Sequence, residues 1–146
     1  MIEIPFAKSS LQTVTSSPAV RQELIEMSRV SGLKRSRHLL HKNHADKPQT
    51  MLILLERNSL VGMHRHPANK TEIYVILEGQ MRVDYVDNGG RRESRLFAPW
   101  GNLENLPTVS IHRDGIWHEP VAVSETVLYL EIYSGPFNKD CDVEYR

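Results

Sequence analysis

Apolar positions are sparse and helically spaced before Pro48, and gather into short alternating runs after it. Between Ala19 and Val30 the side chains of Val20, Leu24, Met27 and Val30 recur every three or four residues, which puts them on one face of an α-helix. Ser17 stands where an N-cap is needed, Pro18 suits a first turn that has no use for its missing N–H, and Gly32 offers a stop. The pattern predicts a short helix that covers a sheet or forms a dimer contact. Beyond Pro48 the runs are Met51 to Glu56, Leu60 to His66, Glu72 to Leu77, Met81 to Asp87, Arg92 to Leu96, Thr108 to His112, Trp117 to Val123 and Thr126 to Tyr133. Turn formers separate them, the clearest being Asp87-Asn88-Gly89-Gly90, which predicts a hairpin. Pro99 to Pro107 is a longer polar connection and predicts a loop passing from one sheet to another. Eight short strands predict an all-β barrel or sandwich.

Strand parity brings chemistry into this pattern. Alternate side chains share a face, so His64 and His66 point one way while Met63 and Arg65 point the other. A turn through Pro67-Ala68-Asn69 returns Glu72 beside them at the head of the next strand, and Gly115-Ile116-Trp117-His118 places another histidine just after a tight turn. Three imidazoles and one carboxylate make a mixed nitrogen and oxygen donor set, suited to one divalent ion of Fe, Ni, Mn, Co or Zn.

Composition narrows the setting. The 146 residues fit one compact domain able to bury its own core, and the 18 Lys and Arg balance the 18 Asp and Glu, so no global field favours nucleic acid or a membrane surface. Cys141 is the single cysteine, which rules out an internal disulfide and suits a reducing compartment. Met1 to Ser17 lacks the unbroken apolar stretch of a signal peptide, and no later run has the length of a membrane span, so a cytoplasmic protein is expected.

The spacing His64-x-His66, five residues, Glu72, six residues, Gly79, then Gly115-x-x-His118 resembles the two motifs of the cupin superfamily. That resemblance implies a double-stranded, jelly-roll-like β-barrel with a short N-terminal helix, metal ligation by His64, His66, Glu72 and His118, and a turn at Gly79. The sequence departs from the pattern by one extra residue between His66 and Glu72, by Arg113 where a proline is expected and by Ala122 where an asparagine is expected; none of these removes a ligand. Over Gly32 to Lys139, Arg35-x-Arg37-x-x-x-His41, Met51-Leu52-Ile53, Ile76-Leu77-Glu78-Gly79 and Gly135-Pro136-Phe137 are similar to the WbuC family of cupin metalloproteins, whose name is tied to surface-polysaccharide gene clusters. The expected organisation is an N-terminal extension with the helix over residues 1–33, a barrel over 34–140 and a tail over 141–146.

Around the metal quartet, Arg35 and Arg37 stand at strand spacing, where they form a fork for a carboxylate or phosphate or else a solvated basic segment. His41 belongs with them as a substrate contact. Tyr74 shares the parity of Glu72 and lines the cavity or packs as a core aromatic. His38 and His44 are expected to be solvated, His112 to stand behind the ligands or at the surface, and Trp117 to plug the barrel end or a dimer contact. Two functions fit. One is an enzyme, an isomerase, epimerase or dioxygenase acting on a small oxygen-rich, sugar-like or acid substrate with open metal positions; no general base is identified. The other is a non-catalytic module that binds or senses such a molecule. A homodimer is expected from an exposed apolar strand face.

Overall fold

The computed structural model describes residues 1–6 and 17–146, leaving residues 7–16 of the N-terminal extension outside the account. In chain order the elements are β1 (Ile2–Ile4), α1 (Pro18–Val30), β2 (Arg35–Leu39), β3 (Gln49–Glu56), β4 (His64–Arg65), β5 (Glu72–Glu78), β6 (Met81–Val86), β7 (Arg92–Phe97), β8 (Val109–His112), β9 (Trp117–Ala122), β10 (Thr126–Tyr133) and β11 (Glu144–Tyr145). They form two sheets, in the orders β1-β2-β3-β10-β5-β8 and β11-β4-β9-β6-β7. The expected loop through Pro99 and Pro107 carries the chain from β7 in the second sheet to β8 in the first.

The uninterrupted apolar run of β3 reflects burial on both faces. Met51, Ile53 and Leu55 point into the barrel against Tyr74, Ile76, Val83, Val127 and Tyr129. Leu52 and Leu54 point outward and meet Leu24 of α1 together with Leu128. The helix is thus a cover on the first sheet, stitched down by Ser36 Oγ donating to the Leu24 carbonyl at 2.6 Å and by the Arg21 guanidinium on Glu78 at 2.6 Å. Its inner face runs through Leu24 and Ser28, while Val30, expected on that face, is exposed.

Four segments differ from the sequence reading. The basic stretch at the start of the barrel, absent from the eight expected runs, is a strand, β2, whose alternation sends Arg35, Arg37 and Leu39 to one side and Ser36 and His38 to the other. The run from Leu60 to His66 shrinks to the two residues of β4, because Gly62 adopts φ +92° and its N–H is taken by Glu119 Oε1 at 3.1 Å instead of a ladder carbonyl. The two ends of the chain also join the sheets: β1 runs parallel to β2, and β11 pairs antiparallel with β4. Among the described residues, no helix is long and apolar enough to cross a membrane.

Candidate metal centre

Both sheets contribute to one cluster. His64 on β4 lies directly opposite His118 on β9, and His66 follows on the same face as the chain leaves β4. Glu72 opens β5 in the other sheet, returned there by the turn in which Lys70 N–H bonds the Pro67 carbonyl at 2.8 Å. His118 is delivered by the predicted turn, with Gly115 at φ +70°. One ligand atom from each of His64, His66, Glu72 and His118 lies within 4.8 Å of all the others. An ion roughly 2.0–2.2 Å from each donor would need them no more than about 4.4 Å apart, so a contraction of a few tenths of an ångström suffices. The four predicted ligands are therefore brought together, and they could hold a metal ion.

The hydrogen bonds settle which nitrogens face inward. His64 Nδ1 donates to the Gly62 carbonyl at 2.9 Å, His66 Nδ1 to that of Asp142 at 2.7 Å, and His118 Nδ1 to that of Ile116 at 3.0 Å. A carbonyl only accepts, so each Nδ1 carries a proton and each neutral ring presents a bare Nε2 lone pair to the cluster. That lone pair on His118 stands 2.8 Å from Glu72 Oε2, and the one on His66 stands 3.1 Å from Glu72 Oε1 with no hydrogen-bond partner among the described residues. Atoms that close need a cation between them, either a proton on Nε2, with which the ring donates to Glu72, or a metal ion. Burial, then neighbouring His118, lowers the His64 pKa to about 4, which keeps that ring neutral and able to ligate. Burial acting alone would raise the Glu72 pKa, but the hydrogen-bonding contacts of His112, His118 and His66 outweigh it and hold the carboxyl well below its usual range.

Behind the ligands, His112 Nδ1 approaches Glu72 Oε2 at 3.2 Å, its Nε2 meets Ser110 Oγ at 2.8 Å, and Ser110 meets Tyr85 Oη at 2.6 Å. With Nδ1 donating to the carboxylate, the chain of donors runs from Tyr85 through Ser110 and His112 to Glu72. His112 is thus a buried support for a ligand. Its ring stacks on His118 at 4.1 Å between centroids.

Three of the four predicted ligands, His64, His66 and Glu72, line a cavity of about 250 Å³. Arg35, Arg37, His41 and Tyr74 all line it, so the structure gathers the four residues that the sequence reading associated with substrate. Arg37 is already engaged, with Nε and Nη2 each 2.6 Å from Glu3 of β1. Arg35 donates from Nη1 to the Leu60 carbonyl at 3.1 Å and keeps a buried Nε without a partner among the described residues. His41 is anchored by Nδ1, 2.8 Å from the Thr50 carbonyl, and Tyr74 packs edge-on against His112. His44 lies at the cavity wall and is exposed as expected. His38 is not solvated: it is 2 % exposed, because α1 covers the outer face of β2. Trp117 faces outward under the Arg65 guanidinium, 4.6 Å from its ring centroid.

One cavity residue escaped the sequence reading. Glu131 sits mid-strand in β10, sharing inward parity with Tyr129 and Tyr133, and its carboxyl accepts no hydrogen bond from the described residues. The signal was a lone charge at an interior position of the run Val127-Leu128-Tyr129-Leu130-Glu131-Ile132-Tyr133.

Comparison with known proteins places this geometry. A protein from Shewanella oneidensis superposes with a TM-score of 0.67 over 86% of this chain and 83% of its own, at 11% identity. Oxalate oxidase in complex with the substrate analogue glycolate gives 0.61 over 96% of this chain and 62% of its own, at 10% identity. Bacillus subtilis oxalate decarboxylase, described with Mn(II) centres, gives 0.55 over 68% of this chain at 16% identity, and the match spans only 24% of the decarboxylase. These likenesses show the fold, an all-β cupin barrel. No curated protein matches the chain in sequence. A family model described as a domain of unknown function, DUF6016, matches residues 17–97, more than half of the chain.

Proposed function

The chain belongs to the DUF6016 family, and because that premise carries no activity we propose one from the site: a cupin that holds one divalent ion through His64, His66, Glu72 and His118 and acts there on a small, oxygen-rich acid or sugar-like molecule. The observation that carries the metal is the set of three Nδ1 protons pinned by backbone carbonyls, which leaves bare Nε2 lone pairs crowded against a buried carboxylate. A bound divalent ion would supply Lewis-acid polarisation of the substrate's oxygens. The mixed nitrogen and oxygen donors suit Fe, Ni, Mn, Co or Zn alike.

Size and charge support the substrate class. A cavity of about 250 Å³ suits a molecule of hydroxyacid or single-sugar size. Arg35 and Arg37 provide the anionic pole, Arg35 with a free buried N–H and Arg37 by exchanging Glu3 for a ligand's carboxylate. The glycolate seen in oxalate oxidase and the acid acted on by oxalate decarboxylase belong to this class. The resemblance to the WbuC family adds a candidate setting in surface-polysaccharide metabolism and no reaction.

Metal content measured on protein purified without chelators tests the assignment. His64→Ala and His118→Ala should each fall well below the parent, whereas His44→Ala should match it; equal content in all of them refutes the site. Glycolate should then raise the melting temperature of the metal-loaded protein, less so after chelation or in Arg35→Ala.

A further inference from the structure

Glu131 is placed as a reacting group would be. In the pairing of β10 with β5, Tyr133 lies opposite Glu72 and Glu131 opposite Tyr74, so Glu131 is the diagonal neighbour of Glu72 on the same inward face. Diagonal neighbours on paired strands stand roughly 7–8 Å apart, a span that one small molecule held at the cluster can bridge. The side chain reaches the cavity with its carboxyl unpaired among the described residues, whereas the other two carboxylates lining that cavity are engaged, Glu72 by the histidines and Glu3 by Arg37. A leucine at this inward position would pack without the desolvation penalty of a carboxyl, so packing alone does not call for an acid here.

On the reading that the quartet binds a divalent ion, we propose that Glu131 is the catalytic acid–base group of this cavity, taking the proton from carbon of a bound α-hydroxycarbonyl compound and returning it. In the forward step the C–H bond beside the carbonyl breaks, the proton passes to a Glu131 carboxylate oxygen, and the electron pair stays on the substrate as an enediolate. Return of the proton to the neighbouring carbon, with the hydroxyl proton passing to the adjacent oxygen, completes an isomerisation with no oxidant or reductant. The groups facing Glu131 are Glu72 and Tyr74 from β5, Tyr129 and Tyr133 from its own strand, Arg37 from β2, and His66 beyond β4. Burial, then the Glu72 charge, raises its pKa to about 8 against the opposing pull of His66 and Arg37, and a cation at the quartet would lower it from there toward the carboxylate that takes the proton.

Hydroxyacetone in D2O is the probe, with deuterium uptake at its hydroxymethyl carbon followed by proton NMR and free metal in buffer as the blank. The metal-loaded parent should exchange above the blank. Glu131→Gln, nearly isosteric, should keep the parent's metal content and circular dichroism yet lose about 10²–10⁴-fold in exchange rate, and Glu131→Asp should recover part of it. A metal-loaded parent that does not exchange, or a Glu131→Gln variant that exchanges like the parent, overturns this assignment and leaves metal binding intact. A parent that takes up no metal overturns the metal reading, and this one with it.

Discussion

Replacing His112 by phenylalanine removes the support behind a metal ligand while keeping a ring in place. The Phe ring preserves the 4.1 Å stack on His118 and the edge contact with Tyr74 at 4.5 Å. What disappears is the 3.2 Å contact of Nδ1 with Glu72 Oε2, while Ser110 retains Tyr85 as its partner at 2.6 Å. Loss of a group that orients a ligand typically lowers metal affinity by about 10–100-fold, or roughly 1.4–2.7 kcal/mol. His112→Asn provides the contrast, because its amide N–H can stand where Nδ1 stood and donate to Glu72. Competition against a chromogenic chelator with zinc as the probe should place Asn within a few-fold of the parent, Phe in the range above, and His118→Ala below both. Parent-like affinity for Phe would show that the Glu72 contact is idle; a loss matching His118→Ala would make His112 a ligand instead of its support.

Chelation should lower the melting temperature but leave the β-sheet circular dichroism unchanged at 25 °C, because both apolar clusters are built without the quartet; unfolding of the stripped protein would make the ion structural. Leu24→Ala should destabilise by about 2–5 kcal/mol, seen as a drop of roughly 5–20 °C in melting temperature. Since Leu24 packs on the outer face of the first sheet, metal content should stay at the parent's value; a parallel loss would tie α1 to the site. Gly79→Ala should lower stability in chemical denaturation by more than the roughly 1–2 kcal/mol of a left-handed residue, since Gly79 has φ +78° and an added Cβ would run into the Thr126 carbonyl. An unchanged midpoint would refute that.

The quartet could be read in the sequence because a strand's period of two and one short turn suffice to bring His64, His66 and Glu72 together. Nothing comparable announced Glu131. Its strand is apolar on both faces, so a charge in it reads as an edge or an exception until the pairing with β5 shows it one rung from Glu72. In β2 it was His38 that misled: it reads as solvated, yet α1 lies over Ser36 and His38, while Arg35 and Arg37, read either as a ligand fork or as a solvated segment, turn into the barrel. Which face of a polar strand is covered depends on a helix packed from elsewhere, and local pattern carries no trace of it. The same holds for the carbonyls that fix the imidazoles. Gly62 and Ile116 lie two residues from their histidines, but the partner of His66 is Asp142, 76 positions away.

That distant partner gives the end of the chain a role in assembly. Asp142 is buried, with Oδ2 accepting from Asn138 N–H at 3.0 Å and lying 3.7 Å from Lys70 Nζ, and Tyr145 beyond it lies against His64 with ring centroids 5.8 Å apart. A protease clipping after Lys139 would spare every ligand and nearly the whole barrel. It would also remove the carbonyl that orients His66 and the β11 pairing with β4, so the trimmed protein would keep its barrel sheets while holding the ion more loosely.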